Sequence, residues 1–106
     1  MLNIYKTEGD RVVRQDRLVP GCWINVAEPT QQEIDYLTGE LGLDQDFVRS
    51  SLDEEESSRI EAEDNDQVLV IVDLPVADRQ EEEGTILYST APMGIILTGD
   101  WVVTIS

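Results

Sequence analysis

Residues 22–52 read Cys-Trp-Ile-Asn-Val-Ala-Glu-Pro-Thr-Gln-Gln-Glu-Ile-Asp-Tyr-Leu-Thr-Gly-Glu-Leu-Gly-Leu-Asp-Gln-Asp-Phe-Val-Arg-Ser-Ser-Leu, and this stretch decides the fold class. It opens on Cys22–Val26, a β-prone run whose Trp23 is large enough to anchor a core. Thr30 and Glu33 then stand at capping-box spacing, each side chain able to satisfy the other residue's free backbone N–H. Pro29 precedes the cap, where its missing N–H interrupts no helical bond. Ile34, Leu37 and Leu41 recur on one helical face, and Gly42 suits the position just past a helix end. Asp44 caps a second, shorter helix. Leu43 before that cap and Val48 after it have staple spacing, and Phe47 and Leu52 widen the apolar face. A strand followed directly by two short amphipathic helices is therefore the nucleus of the reading.

Working outward, Leu2–Lys6 predicts a strand, Gly9–Asp10 a turn and Arg11–Leu18 a returning strand. Pro20–Gly21 marks the next turn. On the other side, Arg59–Glu63 alternates charged and apolar residues, as an edge strand does. Val68–Leu74 is nearly continuous and β-branched, which predicts a strand covered on both faces. Pro75 ends or displaces it, and Ala77–Gly84 reads as a charged loop. Thr85–Thr90, Met93–Leu97 and Trp101–Ile105 are further strands, the last two joined through Gly99–Asp100. Strands, two helices, then a run of strands predict an α/β (α+β-like) fold: a mixed parallel/antiparallel sheet with helices packed on its faces. A sheet with one face left bare would expose a large apolar patch, so further sequence or an oligomer contact is expected there.

The 106 residues suffice for one domain with one core. The formal net charge of −16, from 23 acids against 7 bases, argues against nucleic acid or an anionic membrane as partner. Lys6, Arg11, Arg14 and Arg17 crowd the first 17 residues, whereas 13 acids lie between Asp53 and Glu83. The longest apolar run, Val68–Val72, is far short of the roughly 20 residues of a membrane helix. The expectation is a soluble chain without a signal peptide.

With no histidine and the single Cys22, most nucleophilic and zinc-dependent sites are excluded, and the chain is expected not to be an enzyme. No phosphate-binding loop, dinucleotide fingerprint or nucleophile elbow occurs, so no organic cofactor is expected. The acidic run Asp53-Glu54-Glu55-Glu56 is the candidate metal site, because hard cations take several oxygen ligands. The plainer reading of that run is a solvated loop after a helix. Glu63-Asp64-Asn65-Asp66 lacks the glycine and distal Glu of a calcium loop. Trp23 and Trp101 could serve as ligand platforms, but each sits in an apolar strand and is read as core. Arg49 and Arg59 flank the acidic run and partly neutralise it.

Three stretches in order and register resemble the amino-terminal cytoplasmic domain of the CorA family of divalent-cation transporters. They are Pro20–Leu37, with its Trp-Ile-Asn strand and Pro-Thr-capped helix, Leu52–Glu61 followed by Val68–Val72, and Met93–Ile105. The resemblance implies a regulatory, cation-sensing domain of a Mg²⁺ transporter, with Co²⁺, Ni²⁺ or Zn²⁺ as alternative cargo. It implies a homopentamer on the cytoplasmic side of the cell membrane, with divalent cations bound between neighbouring domains. The membrane would be met only through C-terminal helices, and no Gly-Met-Asn pore signature is present in these residues. Residues 1–106 would then be a single domain, truncated before the linking helix, and unable by itself to conduct ions. In the family an adjacent acidic pair on the second short helix forms part of the sensor. Those positions fall here on Arg49 and Ser50, and Asp53–Glu56, about one turn further on, can take over the role. The competing readings are a free-standing acidic interaction module for a basic protein partner and a soluble calcium or magnesium buffer.

Overall fold

The computed structural model describes residues 1–53, 55–62, 66–80 and 85–106, with the backbone alone at 76–80 and 85–89. Its elements run β1 (Leu2–Glu8), β2 (Arg11–Gln15), β3 (Cys22–Val26), α1 (Gln31–Gly39), α2 (Gln45–Ser51), β4 (Arg59–Ala62), β5 (Val68–Gln80), β6 (Thr85–Leu97) and β7 (Trp101–Ile105). The seven strands form one sheet in the order β2-β1-β3-β7-β6-β5-β4. The central β3–β7 pair is parallel and the other pairs are antiparallel. The expected mixed sheet is thus the architecture found.

The helix starts are built as the capping spacing dictates. The Glu33 N–H donates to Thr30 Oγ1 at 3.2 Å, and the Thr30 N–H donates to Glu33 Oε1 at 2.9 Å. The Met1 ammonium reaches the same carboxylate at 3.1 Å. These donors, the Thr30 amide first, hold the Glu33 carboxyl below its ordinary value. Asp44 caps α2 by accepting from the Asp46 and Phe47 amides at 2.9 and 3.3 Å. Between the helices Gly42 takes φ +68°, a conformation that glycine adopts without steric cost. The half-turn is pinned from the sheet by Gln67, whose Oε1 accepts from the Asp44 N–H and whose Nε2 donates to the Gly42 carbonyl, both at 2.8 Å.

Both helices lie on one face of the sheet. Leu37, Leu43, Phe47 and Val48 from the helical layer join Ile4, Ile24, Val26, Leu69, Ile71, Ile96, Val103 and Ile105 in a single buried cluster. The closest approach is at Gly94 on β6, where α2 rests so low that a methyl group would overlap Ser51. Ser51 itself is buried and satisfies its hydroxyl by donating to the Phe47 carbonyl at 2.7 Å.

Three expectations are corrected. Trp23 is not a core anchor. It stands 41% exposed on the far face, stacked on Tyr5 at 5.0 Å between ring centroids, and donates to Thr104 Oγ1 at 2.8 Å. Val68–Leu74 is covered on one face only, since Leu69 and Ile71 are buried while Leu74 is exposed. Pro75 does not end β5, and the strand continues through 77–80 where a loop was expected. β6 likewise runs unbroken through Pro92. The reason is positional. β4 pairs with β5 only over Val68–Ile71 and β7 with β6 only over Gly94–Leu97, so beyond these points each strand has one neighbour. A proline is tolerated at such a free edge. Glu63, the expected end of β4, and 81–84 of the expected loop lie outside the described residues.

Candidate functional site

The acidic segment is the exit from α2 toward β4, and the helix end shapes it. Backbone bonds Leu52 N–H to Arg49 O (3.1 Å), Asp53 N–H to Ser50 O (3.2 Å) and Glu56 N–H to Asp53 O (3.1 Å) wind the chain into successive tight turns. Asp53 Oδ1 accepts from the Glu55 N–H at 3.0 Å, so one of its oxygens is committed locally. Glu55 points to solvent. Glu54 lies outside the described residues.

Glu56 differs from its neighbours. Its carboxylate is only 24% exposed and forms an ion pair with Arg59, which also contacts Glu61 at 3.3 Å. Arg59 Nη2 donates in addition to Ser50 Oγ at 3.2 Å. The guanidinium therefore ties the last turn of α2, the acidic segment and β4 together. The hydrogen bond to Glu56, above all, makes it hold its proton more tightly than a free arginine. This cluster is a half-buried arrangement with complementary charges, and it consumes Glu56 as a free ligand.

Among the described residues no group of three or more Asp, Glu, Cys or His is arranged to hold a metal ion. Within one copy, Asp53 and Glu55 offer far fewer oxygens than the six or more that Mg²⁺ or Ca²⁺ takes. A shell here needs water, Glu54 or carboxylates from elsewhere. Cys22 is buried and carries no second soft ligand.

Arg49 and Ser50, where the resemblance leads one to expect an acidic pair, have separate fates. Ser50 is engaged by Arg59. Arg49 stands 78% exposed with a loose 3.7 Å contact to Asp46, an arrangement worth little. It overlooks an open groove of about 460 Å³ between α1 and α2, floored by Ile34, Val48 and Leu52 and rimmed by Asp35. Sequence reading missed this groove, although the apolar spacing of Ile34, Val48 and Leu52 contained the signal. It also missed Gln67, whose role no motif announces.

Comparison with known proteins bears on the whole arrangement. The family model described as CorA-like Mg²⁺ transporter protein matches residues 21–106. No curated protein sequence matches the chain. Among solved structures, the chain is similar to the soluble domain of CorA from Methanocaldococcus jannaschii (TM-score 0.74, 23% identity), covering 99% of this chain and 40% of that one. It is similar also to the complete CorA magnesium transporter of the same organism (TM-score 0.70, 24% identity), again over 99% of this chain and 32% of that one. The chain thus spans 32–40% of the length of these solved relatives, and at such identity the likeness shows a shared fold. The family match covers most of the chain and the fold agrees with it, so the chain belongs to the CorA-like Mg²⁺ transporter family.

Proposed function

We propose that this chain is the cytoplasmic regulatory domain of a CorA-like transporter of Mg²⁺ or a related divalent cation, and that it senses the cation rather than forming the pore. The observation that carries the reading is the family match over residues 21–106, in a chain none of whose described helices is long and apolar enough to cross a membrane. In this reading identical copies, five in a ring, present their acidic segments to one another. A cation held between copies favours the closed arrangement by its differential affinity, and its loss shifts the population toward opening.

The ligands in this scheme are Asp53, Glu54 and Glu55, with water completing the shell. Glu56 serves by fixing the segment against Arg59. The net charge of −16 supports the reading, because cations accumulate in such a field and relieve its self-repulsion. The test is calorimetric titration of Mg²⁺ into the chain and into a variant with Asp53, Glu54 and Glu55 all changed to Ala. Loss of the binding heat in the variant is expected. Binding unchanged from the parent would remove the site from this segment.

A further inference from the structure

The acidic segment meets the edge of the sheet at β4, and there the local oxygens converge on one positive group. Arg59 and Glu61 stand two apart on that strand and turn toward the helical layer, as their pairing with the buried Ile71 and Leu69 requires. Arg59 Nη1 pairs with Glu56 Oε2, Nε contacts Glu61 Oε2 at 3.3 Å, and Nη2 donates to Ser50 Oγ at 3.2 Å. Each guanidinium nitrogen thus has its own oxygen, one from the segment after α2, one from β4 and one from the last turn of α2. The planar fork of an arginine suits such a spread of partners. The end of a helix also favours a cation through its backbone dipole.

Carboxylate and hydroxyl oxygens from separate stretches of chain are what a hard divalent cation would ask for. The described residues do not arrange three acids around one point, and Arg59 already stands where Glu56 and Glu61 come together. The charge balance sharpens this. Between Asp53 and Glu83 the chain has 13 acids and two bases, Arg59 and Arg79. Arg49 nearby is 78% exposed with one loose contact, whereas the Arg59 side chain is 33% exposed and held on three sides. A charge fixed in this way acts on its neighbours at a set distance, which a mobile surface arginine does not.

We infer, resting on the cation-sensing reading above, that Arg59 is the built-in counter-cation of the acidic segment and lowers the affinity of Asp53 and Glu55 for a divalent cation. Arg59 has two opposed effects. Its contacts position the segment, which favours binding, and its charge repels the ion. The backbone decides between them. Asp53 N–H to Ser50 O, Glu56 N–H to Asp53 O and Glu55 N–H to Asp53 Oδ1 fold the turns without Arg59, so the positioning it adds is small. Its partners Ser50 and Glu56 bracket residues 53–55, which puts the guanidinium within a Debye length, about 8 Å at physiological salt, of an ion held there. Loss of that repulsion, with Glu56 and Glu61 released as further carboxylates, should tighten binding about tenfold.

The experiment is calorimetric titration of Mg²⁺, at fixed ionic strength, into the chain and three variants. Arg59→Gln and Arg59→Met both remove the charge, and the second keeps the apolar stem in case the first fails to fold. Each should bind about tenfold more tightly than the parent. Arg59→Lys keeps the charge and should stay within about twofold of the parent. Thermal unfolding is the second readout: a fixed Mg²⁺ concentration should raise the Tm of the neutral variants more than that of the parent. Equal or weaker binding in the neutral variants than in the parent overturns the role of Arg59 and leaves the cation reading standing. Binding by the neutral variants alone upholds that role and removes the reading from the parent chain. A lysine variant as tight as the neutral ones shows that charge is not the cause, and overturns it too. If no form binds Mg²⁺, both fall.

Discussion

The contact between α2 and the sheet at Gly94 makes a sharp prediction. A methyl group added at residue 94 would overlap Ser51 Oγ and Cβ outright and stand 3.0 Å from the Ser51 Cα. The Oγ can rotate away, at the cost of its bond to the Phe47 carbonyl, but the Cβ and the helix backbone cannot. Gly94→Ala must therefore lift α2 from β6 and open the layer that holds Phe47 and Val48. Overpacking of this kind costs typically 1–3 kcal/mol, and the lost hydrogen bond adds about 1 kcal/mol. Against this, replacing glycine in a strand returns roughly 0.5–1 kcal/mol. The balance is about 1–3.5 kcal/mol of destabilisation, and at ~4–8 °C per kcal/mol for a domain near this size, a fall in Tm of roughly 4–28 °C. Urea unfolding followed by tryptophan fluorescence measures it. The decisive form is a double-mutant cycle. Ser51→Gly removes Oγ and Cβ and should reduce the cost of Gly94→Ala by about 1 kcal/mol or more, whereas Ser51→Ala keeps the Cβ and should recover little. If Gly94→Ala leaves the urea midpoint unchanged, or if its cost is the same in the Ser51→Gly background, the close approach is not what holds this layer.

Two further predictions concern the start of α1. Thr30→Ala removes the acceptor for the Glu33 amide and should cost about 1 kcal/mol in urea unfolding, while Thr30→Ser should be nearly neutral. Glu33 has a pKa lowered in the folded chain, first by the Thr30 amide and then by the Met1 ammonium. A depressed carboxyl contributes stability above its unfolded value, and that contribution disappears as pH falls through the folded pKa. The stability gap between the parent and Glu33→Gln should therefore be present at pH 7 and close below about pH 4.5. A gap that stays constant down to pH 3 would mean that the box does not discriminate charge here.

Local signals were the legible part. The capping box of Thr30 and Glu33, the Asp44 cap, the staple spacing of Leu43 and Val48, and the run Cys22–Val26 are set by interactions within a few residues, and each element formed where its spacing placed it. The family resemblance was legible for a related reason, because three stretches kept their order. The strand ends were less so. Pro75 and Pro92 are breakers only if a strand has neighbours on both sides, and that depends on how far β4 and β7 extend alongside. The candidate site was legible as composition and not as geometry. The pairing of Glu56 with Arg59, three residues on, is local and in keeping with the flanking position of that arginine, whereas the contact of the same guanidinium with Ser50 follows from the path of β4 back toward the end of α2, which no spacing encodes.

The sequence by itself determined that there would be a mixed sheet carrying two capped helices, and that acidic charge would concentrate after the second. Both follow from periodicity, caps and counts, which are properties of neighbours along the chain. Only the tertiary structure decided which face of the sheet the helices cover. Val68–Val72 is apolar at every position, so its pattern cannot say whether one side or both will be buried. Trp23 looks the same in sequence whether it packs inward or stands out. Pairing of β3 with β1 and β7 settles the matter, turning Ile24 into the core and Trp23 onto the open face.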